Sequence, residues 1–157
     1  MSQTQVQVQT QVQVQTADFD MAAEYAALSE SHQTGAVVTF VGKVREMNEG
    51  ARVSGLTLEH YPGMTEKALQ GIVEQAQARW PLLGCKVIHR VGALALGEQI
   101  VFVGVASQHR DAAFAACQFM MDYLKTQAPF WKKEQTTQGA VWVEAKDSDT
   151  QAAKIWD

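Results

Sequence analysis

The chain has 157 residues, 46% of them hydrophobic, and 13 Lys and Arg against 17 Asp and Glu give it a formal net charge of −4. This is enough apolar material for one domain with a real core, and it argues against repeat arrays, wholesale disorder and a broad basic surface for nucleic acid, while a compact pocket for a small anion remains open. The two cysteines, Cys85 and Cys117, are too few and too isolated for a disulfide framework or a zinc site. No run of about 18 apolar residues occurs and no basic segment leads into an apolar one at the N-terminus, so a cytoplasmic protein without membrane contact is expected.

Residues 3–16 alternate Gln with Val or Thr, a low-complexity pattern with the period of a strand. Residues 1–16 are therefore expected to be an extension whose last part, Val12 to Thr16, adds to a sheet edge, with 17–157 forming a single domain. Asp18 to Leu28 reads as a helix. Gly35 to Arg45 is a strong strand by its β-branched and aromatic content, and it ends in two cations, Lys43 and Arg45. Gly42-Lys43 is no phosphate-binding P-loop, because Val37 and Val44 stand where that motif needs Gly and Ser or Thr.

Val53 to His60 reads as a second strand, expected to pair antiparallel with the first across their short separation. Tyr61-Pro62-Gly63 turns the chain into a helix over 64–79, which Pro81 stops. Cys85 to Val91 and Gly97 to Ala106 read as a hairpin around a loop at Gly92 to Gly97. The run IVFVGV is apolar on both faces, which predicts a central strand.

Residues 107–134 concentrate cations inside an apolar segment. At about 100° per residue, Phe114, Cys117, Met121 and Leu124 fall on one helical arc, with Asp111, Gln118 and Asp122 opposite. Lys125 lies roughly 20° from Phe114, which predicts that its stem runs along the edge of the buried face. Ser107 is the expected N-cap. His109 and Arg110 add cationic capacity where the helix dipole already presents positive charge, an arrangement that favours an anion nearby. Ala128-Pro129 ends the helix and Phe130 opens a strand whose alternation puts Lys132 on the face opposite Trp131 and Lys133. A turn at Gln138-Gly139, a strand over 140–144 and a short helix from Asp147 or Ser148 through Trp156 complete the chain. The sum is an α+β fold, two main helices against a mostly antiparallel sheet.

Each cation taken alone has a structural explanation. Lys125 complements a helix C-terminus, Lys132 and Lys133 suit an edge strand, a histidine such as His109 is more often hydrogen-bonded structure than catalyst, and Arg45 can pair with Glu46 or Glu49. Their recurrence at the ends of elements is less ordinary, because sites are built there. No G-x-S-x-G, H-E-x-x-H, Rossmann glycine pattern or paired carboxylate cluster is present. What remains is cation-assisted chemistry on a small anion, with a lysine as acid, base or nucleophile.

Seven ordered blocks, AVVTFVGKVR (36–45), LTLEHYPGMTEKAL (56–69), VIHRVG (87–92), IVFVGV (100–105), HR (109–110), MDYLKT (121–126) and APFWKKE (128–134), closely resemble the family of large, catalytic subunits of molybdopterin synthase. The resemblance runs from about Gly35 to the C-terminus and leaves the Gln-rich start outside. It implies an α/β-hammerhead type of fold with an added antiparallel sheet. It also implies a sulfurtransferase that makes the molybdopterin dithiolene from cyclic pyranopterin monophosphate, with sulfur arriving as a thiocarboxylate on the C-terminal Gly-Gly of a small ubiquitin-like partner. Two large subunits pair centrally within a heterotetramer, and neither a metal nor another cofactor is needed.

Carried over by motif, Lys125 and Lys132 are the pair flanking the partner's tail, Lys125 being the more essential. Lys43, Val44 and Arg45 of GKVR, with His109 and Arg110 reaching across the dimer, form the pocket for the pterin and its phosphate. Lys133 and Glu134 lie in the matching substrate-contacting stretch. Lys146 stands where the family is expected to favour arginine, and it keeps the charge without the planar fork.

Overall fold

In this computed structural model, which describes residues 11–48, 51–137, 139–143 and 147–157, the strands divide between two sheets. The first sheet contains β1 (Val12–Gln15), β2 (Ala36–Lys43), β5 (Leu82–Arg90) and β7 (Gln99–Ser107), in the order β1-β5-β7-β2. β7 is antiparallel to β5 on one side and to β2 on the other, and every residue from Val101 to Ser107 is buried. This is the central position that IVFVGV predicts. Its odd positions, Val101, Val103 and Val105, join the core under α2 (Met64–Arg79) and α3 (Arg110–Gln127). Its even positions, Phe102 and Ala106, pack with Phe19 and with Leu28 of α1 (Met21–Leu28). A strand covered on both faces gains from apolar side chains at both parities, so it shows no alternation.

The end of the Gln-rich segment joins this sheet as expected, with β1 lying parallel to β5 in the register Val12↔Val87 to Gln15↔Arg90. Val12 and Val14 pack against the core. α1 starts at Met21 and not at Asp18. Asp20 is the N-cap, accepting from the Ala22 and Ala23 amides, while Asp18 accepts from the Phe19 amide and the Gln99 side chain.

The second sheet contains β3 (Met47–Asn48), β4 (Ala51–His60), β8 (Phe130–Thr136) and β9 (Gly139–Val143) in that order, and β6 (Gly92–Ala95) also pairs with β4. Two expectations fail here. β4 does not pair with β2, because the register of β2 shifts between Gly42 and Lys43, the chain leaves the first sheet, and β4 turns back on β3 and pairs with β8 instead. The expected loop at Gly92 to Gly97 contains β6, so the segment between β5 and β7 is shared with the second sheet. Gly92 and Gly97 have φ of +92° and +82°, which lets the chain turn at both ends of that excursion.

α3 departs from the helical wheel in three respects. His109, without a side-chain cap bond, is its N-cap, because Ser107 is still paired within β7 and its hydroxyl donates to the Pro81 carbonyl. Phe114 is 62% exposed, and Asp122 is buried. The last helix, α4 (Asp147–Lys154), explains the second exchange. Beyond it, Trp156 donates its indole N–H to Asp122 at 2.7 Å, Gln118 donates to the same carboxylate at 2.9 Å, and the Trp156 ring meets Trp80 and Phe119 edge-on. No helix among the described residues is long and apolar enough to cross a membrane.

Candidate active site

Four cations from three elements meet at one cavity of about 440 Å³ between the two sheets: Lys43 and Arg45 at the end of β2, Lys125 in the last turn of α3, and Lys132 in β8. Glu134, two residues beyond Lys132, and His89 of β5 share the wall.

Local sequence sets each placement. The register shift at Gly42/Lys43 ends the pairing of β2, and Val44 then exchanges backbone hydrogen bonds with Glu98 and Gly97 at 2.9 and 2.8 Å. Those bonds sink the Val44 side chain among Leu56, Leu58 and Leu94 and leave Lys43 and Arg45 exposed on either side of it. Val44 therefore contributes an apolar wall. At Gly42 an added Cβ would stand 2.9 Å from the Val101 side chain, so this strand end needs its glycine to approach β7.

Lys125 follows the buried Leu124, and α3 stops at Ala128, whose extended backbone (φ −87°, ψ 132°) suits a residue before proline. The Thr65 hydroxyl donates to the Pro129 carbonyl at 2.9 Å and ties this corner to the start of α2. Four residues separate the end of α3 from Lys132, and helix end and strand start face the same cavity. On the helical wheel Lys125 borders Phe114, and both are exposed, so the lysine stem does not run along a buried face as expected. The lysine reaches the site because the second sheet folds over the helix end.

Lys133 faces the other way, with its ammonium 4.9 Å from the centre of the Trp142 ring. Strand alternation thus divides the two lysines as the sequence predicts. His109 and Arg110 line a separate, open depression with Gly35, Gln108 and Asp111. Fifteen residues at about 1.5 Å each put Arg110 roughly 22 Å along α3 from Lys125, so one copy of the chain does not bring the two ends together. The Arg110–Asp111 contact, 4.0 Å between highly exposed side chains, is a weak surface pair. Lys146 lies outside the described residues.

Sequence reasoning missed His89. It is 5% exposed, its ring stacks on Phe130 with centroids 3.8 Å apart, and its Nδ1 is 2.8 Å from the Arg90 carbonyl oxygen. Burial pushes its pKa down to about 4, partly opposed by that carbonyl and reinforced by Lys125, Lys132 and His60. Between Ile88 and Arg90 it has the spacing of a core position, and only its neighbours in space mark it. Arg90, also buried, is structural: it donates to the Thr16 carbonyl, the Gln99 carbonyl and Glu98.

The cavity holds an excess of positive charge, with Lys43, Arg45 and Lys125 exposed and Lys132 half-buried, an arrangement that attracts anions. The two thiols do not belong to it. Burial pushes Cys85 up to about 12, with Cys117 adding to the effect, and pushes Cys117 to about 11, so neither is a thiolate at neutral pH.

Comparison with known proteins gives one consistent result. Residues 14–127 match the family model described as MoaE protein. A molybdopterin synthase catalytic subunit of Vibrio cholerae is 63% identical over 140 residues, which cover 89% of this chain and 93% of that protein. The molybdopterin biosynthesis MoaE protein of Burkholderia ambifaria superposes with a TM-score of 0.79 at 49% identity, covering 92% of this chain and 96% of that one. A Helicobacter pylori structure, a complex of subunits 1 and 2 of molybdopterin-converting factor, shares the fold at 18% identity and a TM-score of 0.71, covering 86% of this chain and 91% of that one.

Proposed function

The chain belongs to the MoaE protein family, and on that premise we propose that the cavity between the sheets is where its reaction takes place. The activity is that of the catalytic subunit of molybdopterin synthase, a sulfur-transferring step in molybdenum cofactor biosynthesis. Two sulfurs pass from the C-terminal thiocarboxylate of a small ubiquitin-like subunit to cyclic pyranopterin monophosphate, which becomes the molybdopterin dithiolene. The observation that carries the assignment is the convergence of Lys43, Arg45, Lys125 and Lys132 on a single recess.

The chemistry calls for such a recess. Thiocarboxylate and cyclic phosphate are both anions, and their approach requires cations at close quarters. Both cysteines are buried and held as thiols, so the sulfur comes from the partner and not from this chain. Lys125 and Lys132 flank the incoming tail, and Lys125 stabilises the oxyanion that develops as the acyl–sulfur bond breaks. Arg45 and Lys43 hold the substrate phosphate, Val44 supplies the apolar wall beside the pterin, and Glu134 orients the neighbouring lysine. His109 and Arg110, too far along α3 to serve their own copy's cavity, complete the site of a second copy, so that a homodimer forms the centre of a heterotetramer. Lys133 and Lys146 add positive charge that attracts the anionic substrate. The protein works in the cytoplasm, where its two unpaired cysteines stay reduced.

Reconstitution tests this reading. Wild-type chain, thiocarboxylated small subunit and cyclic pyranopterin monophosphate together should yield molybdopterin, and Lys125→Ala should abolish the yield while still binding the small subunit. A wild-type protein that binds both anions and makes no product would be a scaffold.

A further inference from the structure

Sulfur transfer gives the C-terminal segment no part, yet that segment meets a buried carboxylate one turn before Lys125. Asp122, 7% exposed, accepts from the Trp156 indole N–H at 2.7 Å and from the Gln118 amide at 2.9 Å. The Trp156 ring stands nearly perpendicular to Trp80 and Phe119, its centroid 5.6 Å from each, and Ala153 of α4 packs on the same core. Next to Asp122, the Tyr123 hydroxyl donates to the Asp157 side chain at 3.3 Å. A buried carboxylate stripped of a donor is costly, so Asp122 and Trp156 fix each other's place. The turn that follows is less well held. Lys125, Thr126 and Gln127 are exposed, the last carbonyls of a helix have no partner within it, and Pro129 cannot continue it. Leu124 holds this turn on the core side, and the Thr126 hydroxyl ties it back to the Asp122 carbonyl at 3.2 Å.

Building on the sulfur-transfer reading, we infer that Asp122 and Trp156 are positioning residues: their hydrogen bond clamps α3 against the C-terminal segment and fixes the turn from which Lys125 reaches the cavity. The core grips α3 from one side, through Met120 and Leu124, and the clamp grips it from another. Clamp and lysine are joined covalently, within one turn of the same helix. Because Lys125 is itself exposed, its ammonium is placed no more accurately than its backbone, and a misplacement of about 1 Å costs on the order of a hundredfold in rate. Val143 lines the cavity and α4 begins shortly after it, so the segment that leaves the cavity wall returns to brace the helix that supplies Lys125.

Two variants of the full chain decide the matter. Trp156→Phe keeps a ring against Trp80 and Phe119 and removes the N–H, while Asp122→Asn keeps an acceptor for that N–H. Hydrogen exchange read by mass spectrometry should be faster over residues 122–127 in Trp156→Phe than in wild type, with 113–120 unchanged. No local increase overturns the clamp, whatever the activity. In reconstituted turnover, Trp156→Phe should lose about 10-fold in kcat with KM for the pterin within about twofold, and Asp122→Asn should keep at least about half of the wild-type kcat. Wild-type kcat in Trp156→Phe, or equal losses in both variants, sinks the positioning role alone. A wild type without turnover sinks the sulfur-transfer reading as well.

Discussion

The two ends of α3 carry similar charge and have opposite surroundings. At the C-terminal end, Lys125 faces a cavity walled by β2, β5, β7 and β8, with Lys132, Arg45 and a buried imidazole beside it. At the N-terminal end, His109 and Arg110 lie exposed in an open depression with Asp111. Both ends suit anions, yet only the first gathers cations from several elements around one cavity with a buried imidazole in its wall. A chain that places one half of a cationic site in a cavity and the other half on its surface, about 22 Å away along the helix, supports the proposed sharing of each site between two copies.

Mixing two dead variants tests that division most severely. Lys125→Ala should lower kcat by roughly 10²- to 10³-fold, and Arg110→Ala should impair turnover through substrate binding. If each site takes Lys125 from one copy and Arg110 from the other, refolding the two variants together restores about a quarter of wild-type activity, because half of the dimers are mixed and each mixed dimer has one intact site. Absence of any recovery would mean that both ends serve the same copy.

Acid should weaken the closed end through His89. Its folded pKa of about 4 lies below the ordinary 6.5, so the unfolded chain binds the proton first. Its contribution is intact above pH 6.5 and is lost as pH falls toward 4, by up to about 3 kcal/mol. Urea melts at pH 7, 5.5 and 4.5 should show the fall, and His89→Phe should flatten it.

The open end should yield to packing instead. Gly35 donates to the Ser107 carbonyl at 3.0 Å, and an added Cβ there would collide with the Gln108 carbonyl oxygen. Gly35→Ala should cost about 1–3 kcal/mol and displace His109 and Arg110, measurable as a lower Tm together with a raised KM for the pterin. The smallest effect belongs to Lys133, whose ammonium sits over Trp142. Lys133→Ala should cost about 0.5–1 kcal/mol in stability and reduce kcat far less than Lys132→Ala does.

Much of this was legible residue by residue. Helix α2 over 64–79, the doubly covered β7, the β8–β9 hairpin and the opposite facing of Lys132 and Lys133 all follow from periodicity and turn chemistry. Three expectations failed for one reason. The partner of β4, the strand hidden at 92–95 and the exposure of Phe114 are each set by contacts distant in sequence: with β8, with β4, and with the C-terminal helix that claims Asp122 in place of Phe114. His89 was missed likewise, because nothing within its own strand distinguishes it from a core residue.

By itself the sequence determined the main helices and the longer strands and the cations at their ends, since side-chain period, caps and prolines act within a few residues. Tertiary structure alone decided which of those cations share a cavity. That choice depends on the register shift after Gly42, on β4 crossing to the second sheet and on the length of α3 between its two charged ends. Electrostatic strength follows distance and solvent exclusion, and neither is written in the order of residues along the chain.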